Sequence, residues 1–144
     1  MDAYIPLIIL AGFLIQNWRT PPPALPTPEI PALEDHRESV LTAKQLNALK
    51  CRCCGLNLTD SELLKKLEAL VRLYPDEVVI TSGTRCAKHN VRVGGVPKSL
   101  HLTGRAVDVA CAASKQLLMG RCAAEAGFRI VIPYPSKGYL HLSL

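Results

Sequence analysis

The sequence predicts an α+β domain, a small and mostly antiparallel sheet with helices packed on it. Three observations carry that expectation. One long segment has the leucine spacing of an amphipathic helix, several short apolar segments have strand character, and the chain closes on a hairpin. Helical and strand segments interleave, and neither an internal repeat nor a heptad run interrupts them. A length of 144 residues suits one domain with an extension.

The extension comes first. Ala3 to Ile15 is apolar throughout and is followed by Gln16, Asn17, Trp18 and Arg19. As a helix it would reach roughly 20 Å, short of a ~30 Å hydrocarbon core unless Trp18 and the flanking residues extend the span at the interface. The only early charge is Asp2, and no small-residue cleavage site follows, unlike a secretory signal. Residues 1–19 are therefore read as a retained membrane anchor, with residues 3–18 contacting the membrane and the rest of the chain at the cell envelope. A core helix or an interaction segment is the alternative. Residues 20–32 contain "TPPPALPTPEIP", too rich in proline for helix or sheet and suited to an extended spacer. Residues 33–144 then form the domain.

Glu34 to Lys50 has helical character and leads into the cysteine cluster "CRCC". "TDSELLKKLEALVRLYP" is a helix: Thr59 and Glu62 make a capping box, Leu63, Leu64, Leu67 and Leu70 form one face, and Pro75 ends it. "EVVITSG" reads as a buried strand ending at Gly83. Thr84 to Lys98 reads as a loop whose paired glycines in "VGGV" permit a sharp turn. "RAVDVA" is a strand, Ser114 caps a helix running to about Ala126, and Gly127 stops it. "FRIVIPY" and "GYLHLSL" form the closing hairpin.

Charge is uneven. The chain carries 17 basic and 12 acidic residues, and 14 and 7 of these fall from Leu49 onward. The folded part is basic and suits an anionic partner. Aromatics are few and no basic run is interleaved with them, which argues against nucleic acid bound by stacking; cell-wall polymer or anionic lipid fits better. Six cysteines allow 15 fully paired connectivities. A cysteine-held metal, a disulfide from Cys51, Cys53 or Cys54 to Cys86, and simple buried thiols are three open readings.

Alternation along the strands exposes the chemistry. Residues two apart share a face, so Tyr139, His141 and Ser143 point away from Leu140, Leu142 and Leu144. Asp108 likewise opposes Val107 and Val109. A carboxylate buried there needs a partner, since an isolated buried charge is very costly. Ligation of a metal by His101, Asp108 and His141 would account for all three placements; hydrogen-bonded histidines and an Asp108–Arg105 pair would do so without one. Two histidines and a carboxylate leave a fourth tetrahedral position for water, the pattern of a catalytic Zn2+.

"SGTRCAKHNVRVGGVPKSLHLTGRAVDVA", Ser82 to Ala110, with the late "YLHLSL", resembles the zinc D-Ala-D-Ala carboxypeptidase family, which includes phage endolysins and small viral peptidases and shares its fold with the hedgehog signalling domain. "CRCCGLNLTDSELLKKLEAL" resembles the start of its viral and bacterial branch, so the resemblance covers about Lys50 to Leu144. It implies that His101, Asp108 and His141 ligate Zn2+, that Arg85 holds a substrate carboxylate or the oxyanion, and that Ser99 lies near the substrate, with Tyr139 and Ser143 close by. His89 and Asn90 fix the loop. One departure stands out. The acid that many members place three residues before the last histidine is Gly138 here, and the aspartate that the viral branch places two residues after it is Ser143. Glu125, the only acid after Asp108, faces solvent.

These residues lead to a zinc-dependent peptidoglycan peptidase, a D,D-carboxypeptidase or endopeptidase cutting stem or cross-link peptides, as in a phage or virion-associated lysis or entry protein with other virion proteins as partners. The vacant acid positions favour an alternative: a zinc-stabilised wall-binding or structural module with weak or no turnover. A basic nucleic-acid-binding virion protein is a third, weaker reading.

Overall fold

The computed structural model describes residues 41–144. The expected anchor over residues 1–19 and the proline spacer over residues 20–32 lie outside the described residues. Among the described residues, no helix is long and apolar enough to cross a membrane.

The expected α+β architecture is present. Among the described residues, four α-helices, α1 (Ala43–Ala48), α2 (Ser61–Leu73), α3 (Ala87–Arg92) and α4 (Gln116–Glu125), accompany four strands, β1 (Val79–Ser82), β2 (Ala106–Ala110), β3 (Ile130–Tyr134) and β4 (Tyr139–Ser143). The sheet runs β1-β2-β4-β3 and every pairing is antiparallel. β3 is an edge, which is why Pro133 is tolerated in it.

α1 opens on a reciprocal cap. Thr42 Oγ1 accepts from Gln45 N–H at 3.2 Å, and Gln45 Oε1 accepts from Thr42 N–H at 2.8 Å. The same glutamine donates to the Val78 carbonyl at 2.8 Å and ties α1 to β1. α2 is capped by Asp60, whose carboxylate accepts from Glu62 N–H at 2.8 Å, and not by the expected Thr59. Thr59 is diverted because its hydroxyl donates to Asn57 Oδ1 at 2.6 Å. Ser114 is likewise no cap; it sits inside a 3-10 turn, Ala113–Lys115, that leads directly into α4. Gly127, at φ +90°, ends α4 as expected.

One core joins these elements. Leu63, Leu67, Leu70 and Leu73 of α2 and Met119, Cys122 and Ala123 of α4 pack with Val107, Val109, Leu140 and Leu142 of the central strands. Each such aliphatic side chain contributes roughly 1.5–3 kcal/mol by leaving water. With the valines and leucines committed to the core, alternation sends Asp108, Tyr139 and His141 to the opposite face. That face is the floor of a cleft of about 620 Å³.

Candidate functional site

Three backbone devices bring the cleft residues together. Asp108 and His141 are register partners across β2 and β4, so their side chains leave the sheet side by side. His101 arrives from elsewhere: it lies on a 3-10 turn, Leu100–Thr103, and not within an extended strand. Gly104 closes that turn at φ +69°, and a Cβ there would stand 1.9 Å from the Leu58 carbonyl oxygen, so only glycine fits. Gly83, after β1, is equally confined; its Cβ would meet Leu49 O at 2.4 Å.

The Gly83 carbonyl fixes His101. It accepts a hydrogen bond from His101 Nδ1 at 2.7 Å. A carbonyl oxygen can only accept, so Nδ1 carries a proton and, in the neutral imidazole, Nε2 presents a lone pair. That lone pair faces Asp108 Oδ1 and His141 Nδ1, each at 3.3 Å, while His141 Nδ1 and Asp108 Oδ1 are 2.9 Å apart. Three atoms with acceptor character therefore converge, and one proton on His141 Nδ1 cannot serve all three contacts. A cation can. Tetrahedral coordination with bonds of ~2.0–2.1 Å gives ligand-to-ligand edges of roughly 3.3 Å, the spacing found on two of the three sides. The donor set of two imidazoles and a carboxylate fits zinc, and the Gly83 carbonyl supplies the outer contact that usually orients a ligating histidine.

Arg85 completes the electrostatics. Its Nη2 donates to Asp108 Oδ2 at 2.5 Å and its Nε donates to Ser82 Oγ at 3.0 Å. Both partners of this ion pair are largely buried. Burial pushes the Asp108 carboxyl up, but in the metal-free site, with the imidazoles protonated, hydrogen bonds from His101 and His141 and the positive charges of His101 and Arg85 outweigh it and hold the group well below the usual carboxylate range. The alternative Asp108–Arg105 pair does not form; Arg105 faces Asp60 at 3.8 Å.

The other expected residues fall around the same cleft. Ser99 lines it at the start of the 3-10 turn. Tyr139 lines it too, its ring stacked on Tyr134 at 4.7 Å, and burial together with the Asp108 charge pushes its phenol up, keeping it a hydrogen-bond donor. Ser143 is buried, and its Oγ has no hydrogen-bond partner among the described residues. Ile130, Ile132 and Tyr134 of β3 form an apolar wall, and Lys98 and Lys137 join Arg85 as cations on the lining. Among the described residues Asp108 is the only carboxylate there; Glu125 is exposed on α4, as expected.

The loop over Thr84 to Lys98 contains a helix that the sequence reading missed, α3. His89 and Asn90 are buried in it; Asn90 Nδ2 donates to Val96 O at 2.9 Å and holds the loop as anticipated, while the His89 ring meets Cys51 Sγ at 3.7 Å. Beside it lie Cys51, Cys53, Cys54 and Cys86, all as free thiols. The disulfide to Cys86, one of the three open readings, is not formed among them.

Compared with known families, residues 36–143 match the family model described as Peptidase M15. No curated protein matches the chain.

Proposed function

Because the chain belongs to the peptidase M15 family, that of the zinc D-Ala-D-Ala carboxypeptidases, we propose that it is a zinc-dependent peptidase that hydrolyses stem or cross-link peptides of peptidoglycan. The observation that carries this reading is the convergence of His101 Nε2, Asp108 Oδ1 and His141 Nδ1 on one point at the floor of the cleft.

These three residues would hold the zinc. Bound there, zinc would lower the pKa of a coordinated water to about 7 and polarise a carbonyl oxygen. The remaining work falls to the chain. Arg85 fixes the Asp108 carboxylate through Oδ2 so that Oδ1 faces the histidines. The Gly83 carbonyl holds His101 in the tautomer that leaves Nε2 free. Lys98, Lys137 and Arg85 make the cleft cationic, which favours a peptide ending in a carboxylate. Ile130, Ile132 and Tyr134 offer contact to small methyl side chains. Tyr139, protonated and half-buried on the cleft lining, would donate to negative charge developing on the substrate.

The absence of a second carboxylate from the lining among the described residues favours a second reading, a zinc-stabilised module that binds the wall with little turnover. A general base contributes typically 10² to 10⁴ in rate, so its lack separates the two readings by rate and not by fold. We further propose that residues 1–19 anchor the chain at the cell envelope and that residues 20–32 give the domain reach, as in a phage or virion-associated lysis protein.

The test is direct. Purified peptidoglycan is incubated with the chain, with the chelated chain and with His101→Ala, and new amino groups are counted by dye labelling. Release only by the first supports the peptidase, whereas retained wall binding without release at any pH leaves the binding module.

A further inference from the structure

Two kinds of cysteine occupy this domain. Cys111 and Cys122 are buried in the hydrophobic core, the ordinary place for a thiol. The other four gather at the surface end of α1, where Cys53 and Cys54 are exposed and only Cys51 is buried. Core packing does not explain that gathering.

Its geometry is specific. The segment from Cys51 to Gly55 is a tight turn in which Gly55 N–H donates to the Cys51 carbonyl at 2.8 Å and Cys51 N–H donates to the Leu56 carbonyl at 2.8 Å. Gly55 adopts φ +72°, a conformation that lets the turn fold back and places Cys51, Cys53 and Cys54 on one side. Cys86 comes from a point 33 residues beyond Cys53, directly after Arg85 and at the start of α3. Cys53 Sγ stands 3.2 Å from Cys86 Sγ and 3.6 Å from Cys51 Sγ, and all four sulfurs lie within 4.8 Å of one another. Zinc bonded to four thiolates at ~2.3 Å spaces its sulfurs by roughly 3.8 Å. A single disulfide would join two of the four and leave the other two unexplained.

The backbone is also arranged for charged sulfur. Cys86 N–H donates to Cys51 Sγ and His89 N–H donates to Cys86 Sγ, both at 3.4 Å. Such bonds orient and stabilise ligating thiolates as outer-shell contacts do in other metal sites. His89, buried, places Nδ1 3.7 Å from Cys51 Sγ and closes the inner side of the cluster.

We propose that Cys51, Cys53, Cys54 and Cys86 form a second metal centre, a closed four-thiolate site for zinc, distinct from the cleft. On binding, the thiols give up their protons to solvent and the ion takes four sulfur ligands with no position left for water, which makes the site structural. It ties the turn after α1 to the segment that carries Arg85. A small domain gains stability from such a staple, and here the staple also fixes the arginine that holds Asp108.

Cobalt substitution tests this without reference to turnover. The reduced full chain is titrated with Co2+ and the near-ultraviolet region is followed for thiolate-to-cobalt charge transfer, which the cleft residues, having no sulfur, cannot produce. The expected result is an intense band that saturates at about one Co2+ bound through sulfur per chain, bleaches on adding Zn2+, persists in His101→Ala and is lost in Cys53→Ser. Should Cys53→Ser fail to fold, the band in the unaltered chain still decides. No charge-transfer band in the reduced chain, or a Cys53–Cys86 disulfide in protein purified with zinc present, overturns the proposal.

Discussion

Asp108 Oδ1 lies 2.9 Å from His141 Nδ1 because the two residues face each other across β2 and β4. A sheet pairing thus presets two of the three residues of the proposed metal site, and the third depends on how a short turn delivers His101. The predictions follow from that division.

Gly104→Ala attacks the turn. The substitution brings both a left-handed conformation and a Cβ 1.9 Å from Leu58 O, so it should destabilise the domain by more than about 2 kcal/mol and weaken zinc binding in the cleft. Gly138→Ala is the control. Its φ is also +69°, but nothing lies within 4 Å of the added carbon, so it should cost only about 1–2 kcal/mol. Thermal unfolding of both variants measures the steric difference.

Arg85→Lys should keep the charge and lose the geometry. A lysine cannot donate to Asp108 Oδ2 and Ser82 Oγ together, so the carboxylate is freed to rotate. Zinc affinity of the cleft site, read by competition with a chelating dye, should fall by about 10- to 100-fold. Unchanged affinity would show that Arg85 does not act through Asp108.

Acid sensitivity should trace to Asp108. Its carboxyl is held below the ordinary value of 3.8, so its stabilisation is fully present above that value and is lost as pH falls beneath it. In zinc-free protein, denaturant midpoints measured from about pH 6 to about pH 3 should drop at the acid end, and the drop should shrink in Asp108→Asn. That variant should also lose about 3 kcal/mol near neutrality, because Arg85 is left without its largely buried partner.

Supplying an acid should raise turnover. Ser143 lines the cleft two residues after His141, buried and with its hydroxyl unpartnered among the described residues. A carboxyl in so enclosed a position is pushed up toward the range of a general base. Ser143→Asp should therefore increase amino-group release from peptidoglycan by at least about tenfold if the missing base limits the rate. No gain with zinc still bound would assign the proton transfer to another group.

How far these features could be read from the sequence depended on how local they were. The strands and the closing hairpin were legible because Val107, Val109, Leu140 and Leu142 alternate with polar neighbours, and that alternation also marked Asp108 and His141. α3 was not legible: "AKHNVR" has no apolar face, Val91 is 78% exposed, and the helix is held by buried His89 and Asn90. His101 was identified by its resemblance to a known motif, yet its 3-10 turn was hidden, since the constraint on Gly104 comes from the distant Leu58. The partner of Asp108 was missed for the same reason. Arg105 is near in sequence, whereas Arg85 is 23 residues away and reaches it only through the β1–β2 pairing. The cysteine cluster stayed ambiguous until folding brought Cys86 against Cys53.

The most direct test of the central claim is a zinc titration of turnover. The chelated full chain is supplied with increasing Zn2+, and amino-group release from peptidoglycan is measured beside the cleft's metal occupancy. Release should rise in step with occupancy of the His101–Asp108–His141 site and be absent at every zinc level in His101→Ala. Full occupancy of that site with no release at any pH would contradict the claim.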